Sequence, residues 1–327
     1  MRLLAGMAGA AARELRPQER TAALFSRCAN PRCATGWMRL WRNRKAPGFE
    51  GRWACSAECM EEMVATAVRR ELDGEAPVET IHRLPVGLLL LEQGRISEAQ
   101  LREALSAQRR TAAEEGESAR LGEWLMESGV LTEAALTRGL SAQWNCPVFG
   151  LEGWKPEEVA WVAPRILTEA MSALPVRVRG GKLLYLAFSS RIDHSLAYAI
   201  ERMTGMRVAA GIARESELLS ALARYREMRL PEAKFIEARN SWALARELTR
   251  RIEEQKPVEA RLVRVHDLFW LRFWRRRAES AGVPALDDVE DLIGTVGTTR
   301  YLPRRANAKA ADNERRGKSG ACQEPGC

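Results

Sequence analysis

Four of the seven cysteines fall in one short window near the start of the chain. They form two pairs: four residues separate Cys28 from Cys33, three separate Cys55 from Cys59, and twenty-one lie between the pairs. Four thiolates complete a tetrahedral zinc shell and leave no open position for a reacting water. The spacing therefore predicts a structural Zn²⁺ site, and four unrelated buried thiols are the alternative.

The residues around the two pairs predict how the sulfurs are brought together. Asn30-Pro31 supplies a turn inside the first pair. Ser56 is placed to cap a helix that starts within the second pair, where backbone N–H groups favour thiolates. Two turns that present cysteine pairs, the second one opening a helix, resemble a treble-clef zinc module.

The segment between the cysteine pairs is basic and contains tryptophan. Residues 1–59 hold eleven Lys and Arg against four Asp and Glu, a net charge of +7. This charge can offset the negative charge of a zinc–thiolate centre, and it can also attract nucleic acid. A nucleic-acid contact and a small core of tryptophans are both compatible with this insert, which contains Arg39, Trp41, Arg42, Arg44 and Lys45.

Residues 85–108 and 120–143 are two copies of one pattern at a constant offset of 35. Gly87 matches Gly122, Gly94 matches Gly129, and both copies end in Ser-Ala-Gln. Self-similarity at a fixed offset indicates two equivalent structural units. The apolar residues recur at intervals of three and four, so each copy predicts helices with one buried face.

Capping residues divide each copy into two short helices. Gly94 and Gly129 stand where a helix ends in a left-handed residue. Ser97 and Gln100 predict a capping box at the start of the next helix, and Thr132 takes the same N-cap position in the second copy.

The second copy reads Arg-Leu-Gly, spaced leucines, a central glycine, further leucines and a closing glutamine. It resembles the N-terminal domain of the type II secretion and type IV pilus assembly ATPases. The form in question binds cyclic di-GMP through two tandem motifs of the length seen here, 24 residues. The matching residues are Arg120, Leu121, Gly122, Leu125, Gly129, Leu131, Leu136, Leu140 and Gln143.

The resemblance implies a cyclic di-GMP site shared by both copies. Glycines would let the ligand approach the backbone closely, and a guanidinium would donate two hydrogen bonds to guanine or phosphate. Leucines would pack against the bases. The first copy has Pro85-Val86 in place of Arg-Leu, and eleven residues separate the copies. A repeat that serves packing alone is the alternative. The implied ligand residues are Val86, Gly87, Leu90, Gly94, Leu101, Leu105, Gln108, Arg120, Leu121, Gly122, Leu125, Gly129, Leu136, Leu140 and Gln143.

The next segment alternates helix and strand patterns. Gly180-Gly181-Lys182 predicts a hairpin turn between two strands. Asp193 and His194 are interpreted as helix-capping residues, not as catalytic ones. This order also resembles the small α/β part of the secretion-ATPase domain, so the resemblance covers about residues 84–227. The predicted elements are helix 165–171, strands 174–178 and 183–188, helix 193–204, strand 207–212 and helix 215–226.

The C-terminal part combines arginines with apolar and aromatic residues. A helical face over 232–255 and a core strand or helix over 258–277 predict a basic helical extension, followed by an acidic surface helix near 287–291. The predicted domains are an N-terminal segment (1–23), a four-cysteine zinc module (24–74), the tandem helical repeat (84–150), a small α/β subdomain (151–230), the basic helical extension (231–302) and a disordered tail (303–327).

Composition and motifs exclude several classes of protein. The sequence is 46% hydrophobic and 29% charged, with no apolar run long enough to span a membrane. An odd number of clustered cysteines favours a reducing cytoplasm over a disulfide framework. The nearest string to a P-loop, Gly317-Lys318-Ser319, follows no predicted strand, and no nucleophile–base pair is recognisable. A non-enzymatic protein without the ATPase motor is therefore expected.

The predicted fold class is α+β: an N-terminal treble-clef-like zinc module, a helical hairpin repeat with a small three-stranded α/β domain, and a basic helical C-terminal extension. The predicted function is a cytoplasmic regulator or adaptor that senses cyclic di-GMP or docks on a secretion or pilus machine. By the resemblance, its partner is the cytoplasmic part of an inner-membrane platform protein. The alternative is a zinc-dependent nucleic-acid-binding regulator that uses the basic N-terminal module.

Overall fold

The structure is a computed structural model that describes residues 28–33, 46–74, 83–115, 120–228, 233–276 and 288–297. The predictions for the N-terminal segment (1–23), the basic insert (39–45) and the tail (303–327) lie outside the described residues.

Helices make up just under half of the described chain, and several of them begin at capping residues that the sequence shows. Asp193, for example, accepts a hydrogen bond from the backbone N–H of Leu196, as a helix N-cap does. The helices are α1 (Ala57–Asp73), α2 (Val86–Glu92), α3 (Glu98–Glu115), α4 (Leu121–Glu127), α5 (Glu133–Trp144), α6 (Arg165–Ala170), α7 (His194–Thr204), α8 (Glu215–Glu227) and α9 (Ser241–Gln255).

The strands form three small sheets. β1 and β2 make an antiparallel hairpin, and β3-β4-β5 is a mixed sheet in which only the β4–β5 pair is parallel. The third sheet has the order β6-β9-β8-β7, with β6 and β9 parallel and the other pairs antiparallel. The strands are β1 (Gly48–Phe49), β2 (Arg52–Trp53), β3 (Ala173–Arg179), β4 (Leu183–Phe188), β5 (Arg207–Ile212), β6 (Lys234–Ala238), β7 (Glu259–Val265), β8 (Leu268–Trp274) and β9 (Val289–Val296).

The two copies of the repeat pack against each other across a pseudo-symmetric core. Helix α2 of the first copy contacts α5 of the second, and α3 contacts α4. Leu90 and Leu125, which match in the two copies, are fully buried in this core. Gly94 and Gly129 have φ angles of +65° and +71°, so both predicted left-handed positions are present.

The predicted capping residues of the repeat also act as expected. The backbone N–H of Ser97 donates to Gln100 Oε1 at 2.8 Å, and the N–H of Gln100 donates to Ser97 Oγ at 3.2 Å. Thr132 Oγ1 accepts from the N–H of Ala135 at 3.3 Å. The second helix of each copy is thus N-capped as the local sequence predicts.

The segment after the repeat has the order of elements that its sequence predicts. The Gly180-Gly181 turn joins β3 to β4, and both glycines have positive φ. Helix α7 returns the chain so that β5 pairs in parallel with β4. A mixed fold of helices and small sheets is therefore confirmed, and it includes a three-stranded sheet.

The basic helical C-terminal extension is a wrong prediction, because α9 is the one helix among the described residues of this region and it is flanked by strands β6 to β9. The acidic helix expected near residues 287–291 is also wrong, since Val289–Val296 is strand β9. The reason is burial: β8 has six consecutive buried residues and therefore no alternation of apolar and polar positions. A short apolar run of this kind does not distinguish strand from helix by periodicity.

The four-stranded sheet lies between two hydrophobic cores. Phe269, Leu271 and Phe273 of β8 face a core that they share with α1 and α9. Leu268 and Trp270, which alternate with them along the strand, face the core of the α/β subdomain. Helix α1 of the four-cysteine region thus packs in the same core as the C-terminal sheet.

Candidate functional site

The four predicted metal ligands come together in the structure. The sulfurs of Cys28, Cys33, Cys55 and Cys59 all lie within 4.8 Å of one another. Two of the separations are 3.5 Å, between Cys33 and Cys55, and 3.7 Å, between Cys55 and Cys59. In a tetrahedral shell with Zn–S bonds of about 2.3 Å, neighbouring sulfurs are about 3.8 Å apart. The donor set and its spacing therefore fit a metal ion, and zinc suits four thiolates.

Two local structures present the first and second cysteine pairs. In the first, Asn30 makes a turn: its Oδ1 accepts from the N–H of Arg32 at 2.9 Å, and its carbonyl accepts from that of Cys33 at 3.1 Å. In the second, Ser56 caps α1 by accepting a hydrogen bond from the N–H of Cys59. The cysteine cluster is thus built by a turn, the β1–β2 hairpin and the first turn of α1.

Burial disfavours the thiolate form of two of these cysteines. It raises the pKa of the Cys59 thiol to about 12 and also raises the pKa of Cys28. A divalent cation would have to displace the protons of these two thiols, so its affinity would increase with pH.

In the tandem repeat, two of the four predicted ligand-contacting glycines, Gly87 and Gly122, are close-packing positions, whereas Gly94 and Gly129 have open space around them. A side chain at Gly122 would lie 2.6 Å from Leu136 Cδ2. One at Gly87 would meet Leu101 at 2.8 Å and Leu121 at 2.9 Å. The contact between Gly87 and Leu121 places the first turns of α2 and α4 side by side. The starts of the two motifs, which are 35 residues apart in sequence, are therefore neighbours in the fold.

The predicted leucines fall into two groups by burial. Leu90, Leu101 and Leu125 belong to the buried core of the repeat, whereas the other leucines on the predicted site only pack partly against a core. Gln143 Nε2 donates to the carbonyl of Leu84 at 2.9 Å, so this residue ties the second copy to the start of the first. The partly buried leucines are Leu105, Leu121, Leu136 and Leu140.

Arg120 lies at the edge of the repeat, and its side chain is half exposed. Its Nε donates to Glu123 Oε1 at 3.0 Å, and its Nη2 donates to Glu215 Oε1 at 2.8 Å. Glu215 opens helix α8 of the α/β subdomain, so Arg120 connects the repeat to that subdomain. Sequence analysis did not predict this contact, because 95 residues separate the two partners.

A second contact joins the same surfaces. Glu133, in the first turn of α5, accepts hydrogen bonds from the backbone N–H of Ser216 at 2.8 Å and from its hydroxyl at 2.6 Å. These bonds outweigh the effect of burial and hold the pKa of Glu133 below its usual value. The second copy of the repeat is therefore fixed to the start of α8 at two points.

Buried ion pairs that sequence analysis also missed connect the other parts of the chain. Glu71, near the end of α1, accepts two hydrogen bonds of 2.9 Å from Arg202 of α7. Arg272, 1% exposed, is paired with Asp291 at 2.7 Å and also donates to the carbonyl of Val162. Both pairs lie where the C-terminal sheet or α1 meets the α/β subdomain.

The tandem repeat and the three-stranded sheet form a two-part domain. Solved structures that are similar to this chain include a structure of MshE and two of XpsE. A structure of MshE with cyclic di-GMP matches at 31% identity over 44% of this chain and 99% of its own, with a TM-score of 0.37. Two crystal forms of the N-terminal domain of XpsE match at 18% and 20% identity. They cover 42% and 44% of this chain, 92% and 99% of their own, with TM-scores of 0.33 and 0.26.

The chain is 31% identical in sequence to the MshE structure over 99% of the length of that structure. It therefore belongs to the family of N-terminal domains of type II secretion and type IV pilus assembly ATPases. This confirms the resemblance that the tandem motifs predicted. The similarity is to N-terminal domains and not to an ATPase domain. No family model matches the chain, and no curated protein matches it. Within the described ranges, no helix is both long enough and apolar enough to cross a membrane.

Proposed function

We propose that this chain is a cytoplasmic regulator that binds cyclic di-GMP on its tandem repeat and docks on a type II secretion or type IV pilus machine. The observation that carries the proposal is the adjacency of the two motif starts, Gly87 and Leu121, in a domain 31% identical to MshE, whose structure holds cyclic di-GMP. A quasi-symmetric dinucleotide needs two equivalent surfaces side by side, and this arrangement supplies them.

Arg120 is the guanidinium that we assign to the ligand. Planar guanidinium groups bind guanine and phosphate acceptors through two parallel hydrogen bonds. In the free protein this group is held by Glu123 and Glu215. Ligand binding therefore exchanges a carboxylate for a phosphate or guanine acceptor and releases Glu215 from the repeat.

This exchange gives the proposed sensor a way to transmit binding. The repeat contacts the start of α8 through Arg120–Glu215 and Glu133–Ser216. Among the described residues, loss of the first contact leaves Glu133–Ser216 as the hydrogen-bonded link between the repeat and the start of α8. We infer that ligand binding changes the position of the repeat on the α/β subdomain, and that a docking partner detects this change.

For the four-cysteine cluster we propose a structural Zn²⁺ in a treble-clef arrangement. Support comes from the sulfur spacing, from the hairpin and the helix that follow the first pair, and from the closed four-sulfur shell. The cysteines hold the ion, and the ion supplies cross-links between the Asn30 turn and the start of α1. Because α1 packs against α9, this cross-link supports the core under the C-terminal sheet.

The test of sensing is calorimetry of the full chain with cyclic di-GMP, repeated on Arg120→Ala. We expect micromolar binding that is lost or at least about tenfold weaker in the variant, since a charge-assisted hydrogen bond contributes about 1.5–3 kcal/mol. Arg102→Ala is the matched control, because Arg102 also pairs with a glutamate on its own helix but makes no contact with α8 in the structure. Folded protein that gives no binding heat would contradict sensing and leave docking alone.

Docking needs a separate test. We expect the purified cytoplasmic part of an inner-membrane platform protein to bind the full chain, and binding to change with cyclic di-GMP. Glu133→Ala is expected to weaken that ligand effect, because it removes the second link to α8. Absence of any complex at concentrations well above micromolar would contradict docking without affecting the result on sensing.

A further inference from the structure

A cavity of about 380 Å³ lies beside the cysteine cluster, outside the tandem repeat. Its walls come from three elements: the turn that follows Cys28, the β1–β2 hairpin and one face of α1. This volume is within the range of small-ligand sites, about 300–1,000 Å³. We name it the knuckle cavity.

Arginines from all three elements line the knuckle cavity. Arg32 comes from the turn, Arg52 from β2 and Arg69 from α1, and all three side chains belong to exposed residues. Within the part of the chain that the structure describes, neither Arg32 nor Arg52 has an ion-pair partner. Arg69 donates its Nε to the carbonyl of Ala65 at 3.3 Å. The guanidinium groups are thus available to an external acceptor.

The carboxylates of the knuckle cavity do not neutralise these arginines. Glu50 is bound by both terminal nitrogens of Arg70 at 2.7 and 2.6 Å. Glu62 accepts a hydrogen bond from Asn30 Nδ2 at 2.8 Å. Among the described residues that line the cavity, Arg32, Arg52 and Arg69 make no ion pair, and Glu62 is the carboxylate that opposes their charge. The net charge is therefore positive, which disfavours a cation and favours an anion as the occupant.

The remaining lining of the knuckle cavity is apolar. Phe49 is 1% exposed and Ala67 is 2% exposed, and Met63 lies beside them on α1. An apolar floor under guanidinium groups suits a ligand that has both an anionic group and a flat or apolar body. Phosphate esters of nucleosides have this combination, and guanidinium is the side chain that best matches phosphate geometry.

We propose that the knuckle cavity binds the phosphate ester of a nucleotide, with Arg32 and Arg52 on the phosphate and the base against the apolar lining at Met63. The site is independent of the proposed cyclic di-GMP site. The same chemistry occurs in a free nucleotide and in single-stranded nucleic acid, so the experiment must distinguish these two sources.

The experiment uses the zinc-loaded full chain and two thymine probes, which avoid the guanine ligand of the repeat. One probe is thymidine triphosphate, followed by calorimetry, and the other is a labelled oligothymidylate about eight nucleotides long, followed by fluorescence anisotropy. Arg32→Gln/Arg52→Gln is expected to weaken binding about tenfold or more. For the oligonucleotide, contacts from Arg32, Arg52 and Arg69 give an expected slope of log K against log salt of about −2, and the double variant, which keeps Arg69, is expected to give about −0.7.

The matched control is Arg177→Gln/Arg179→Gln, which removes two exposed arginines from strand β3, away from the knuckle cavity. Binding of the triphosphate alone would assign a free nucleotide, and binding of the oligonucleotide would assign nucleic acid. The proposal is overturned if neither probe binds the folded protein, or if both double variants lose the same affinity. A circular-dichroism melt of each variant verifies that the folded state is retained.

Discussion

The contact between Arg120 and Glu215 gives the sharpest prediction about the proposed sensor. The two groups are 2.8 Å apart, with side chains 50% and 28% exposed. If cyclic di-GMP must take Arg120 from Glu215, then removing the Glu215 charge lowers the free-energy cost of making the guanidinium available. Glu215→Gln is therefore expected to increase the affinity for cyclic di-GMP.

The magnitude follows from the exposure of the pair. Ion pairs at the protein surface contribute about 0.2–1 kcal/mol, because water and salt screen them. Glu123 remains as a second partner of Arg120 in the variant, which also limits the gain. A change of 1.4 kcal/mol corresponds to tenfold in affinity, so we expect Kd to fall by a factor of up to about five.

The assay is calorimetry of the full chain at low and high salt. Glu217→Gln is the matched control, since Glu217 lies in the same first turn of α8 and pairs with Arg214 instead of Arg120. The gain in Glu215→Gln is expected to shrink as salt increases, because screening weakens the pair that the variant removes. An unchanged or weaker affinity in Glu215→Gln, with wild-type binding that still depends on Arg120, would refute the exchange of Glu215 for ligand.

Three further predictions concern stability. The full chain is expected to bind about one zinc ion, and Cys55→Ser, or a chelator, is expected to lower the melting temperature and expose the core around α1; elemental analysis and a thermal melt measure both. Glu71→Gln is expected to lower the free energy of unfolding by about 1.5–3 kcal/mol at neutral pH, because the hydrogen bonds from Arg202, which is 31% exposed, lose their charged acceptor. Burial raises the pKa of Glu71, but Arg202 and Arg70 outweigh burial and hold that pKa below its usual value, so this carboxyl holds its proton less tightly in the folded state than in the unfolded state. The difference in unfolding free energy between wild type and variant is therefore fully present above the usual pKa of glutamate and is lost as pH falls through the lowered pKa. Urea titrations over a pH series measure this difference. Gly129→Ala, at φ +71°, is expected to cost about 1–2 kcal/mol, whereas Gly150→Ala, where a methyl group meets open space and φ is not positive, serves as its control in the same urea titration.

Local signals in the sequence predicted local structure well. The caps Ser97 and Thr132 and the left-handed glycines Gly94 and Gly129 act within a few residues of themselves, so the repeat was recognisable without any tertiary information. The cysteine spacing was informative for the same reason, because each cysteine pair is positioned by one local turn. These features need no knowledge of what lies across the core.

Features that depend on distant partners were not predictable. The run Leu268–Trp274 contains arginine and aromatic residues that suggest a basic surface, yet Arg272 is buried and paired with Asp291. Apolar residues in this run do not alternate with polar ones, because each face of the sheet packs against its own hydrophobic core. For the same reason the partner of Arg120 could not be inferred, since nothing in the local sequence around Glu215 marks it.

The position of the C-terminal sheet argues that the cysteine cluster and the tandem repeat belong to one mechanically coupled unit. Alternate residues of β8 belong to different cores: Phe269 to the one with α1, and Trp270 to the one with the α/β subdomain. Protein interiors are close-packed, so a displacement of the side chains on one face of the sheet also displaces those on the other face. Glu71 adds a direct link, because it joins α1 to Arg202 of α7. Loss of a metal ion at the start of α1 is therefore expected to weaken the packing of α7. The α/β subdomain, whose Glu215 pairs with Arg120, is expected to become less stable as a result.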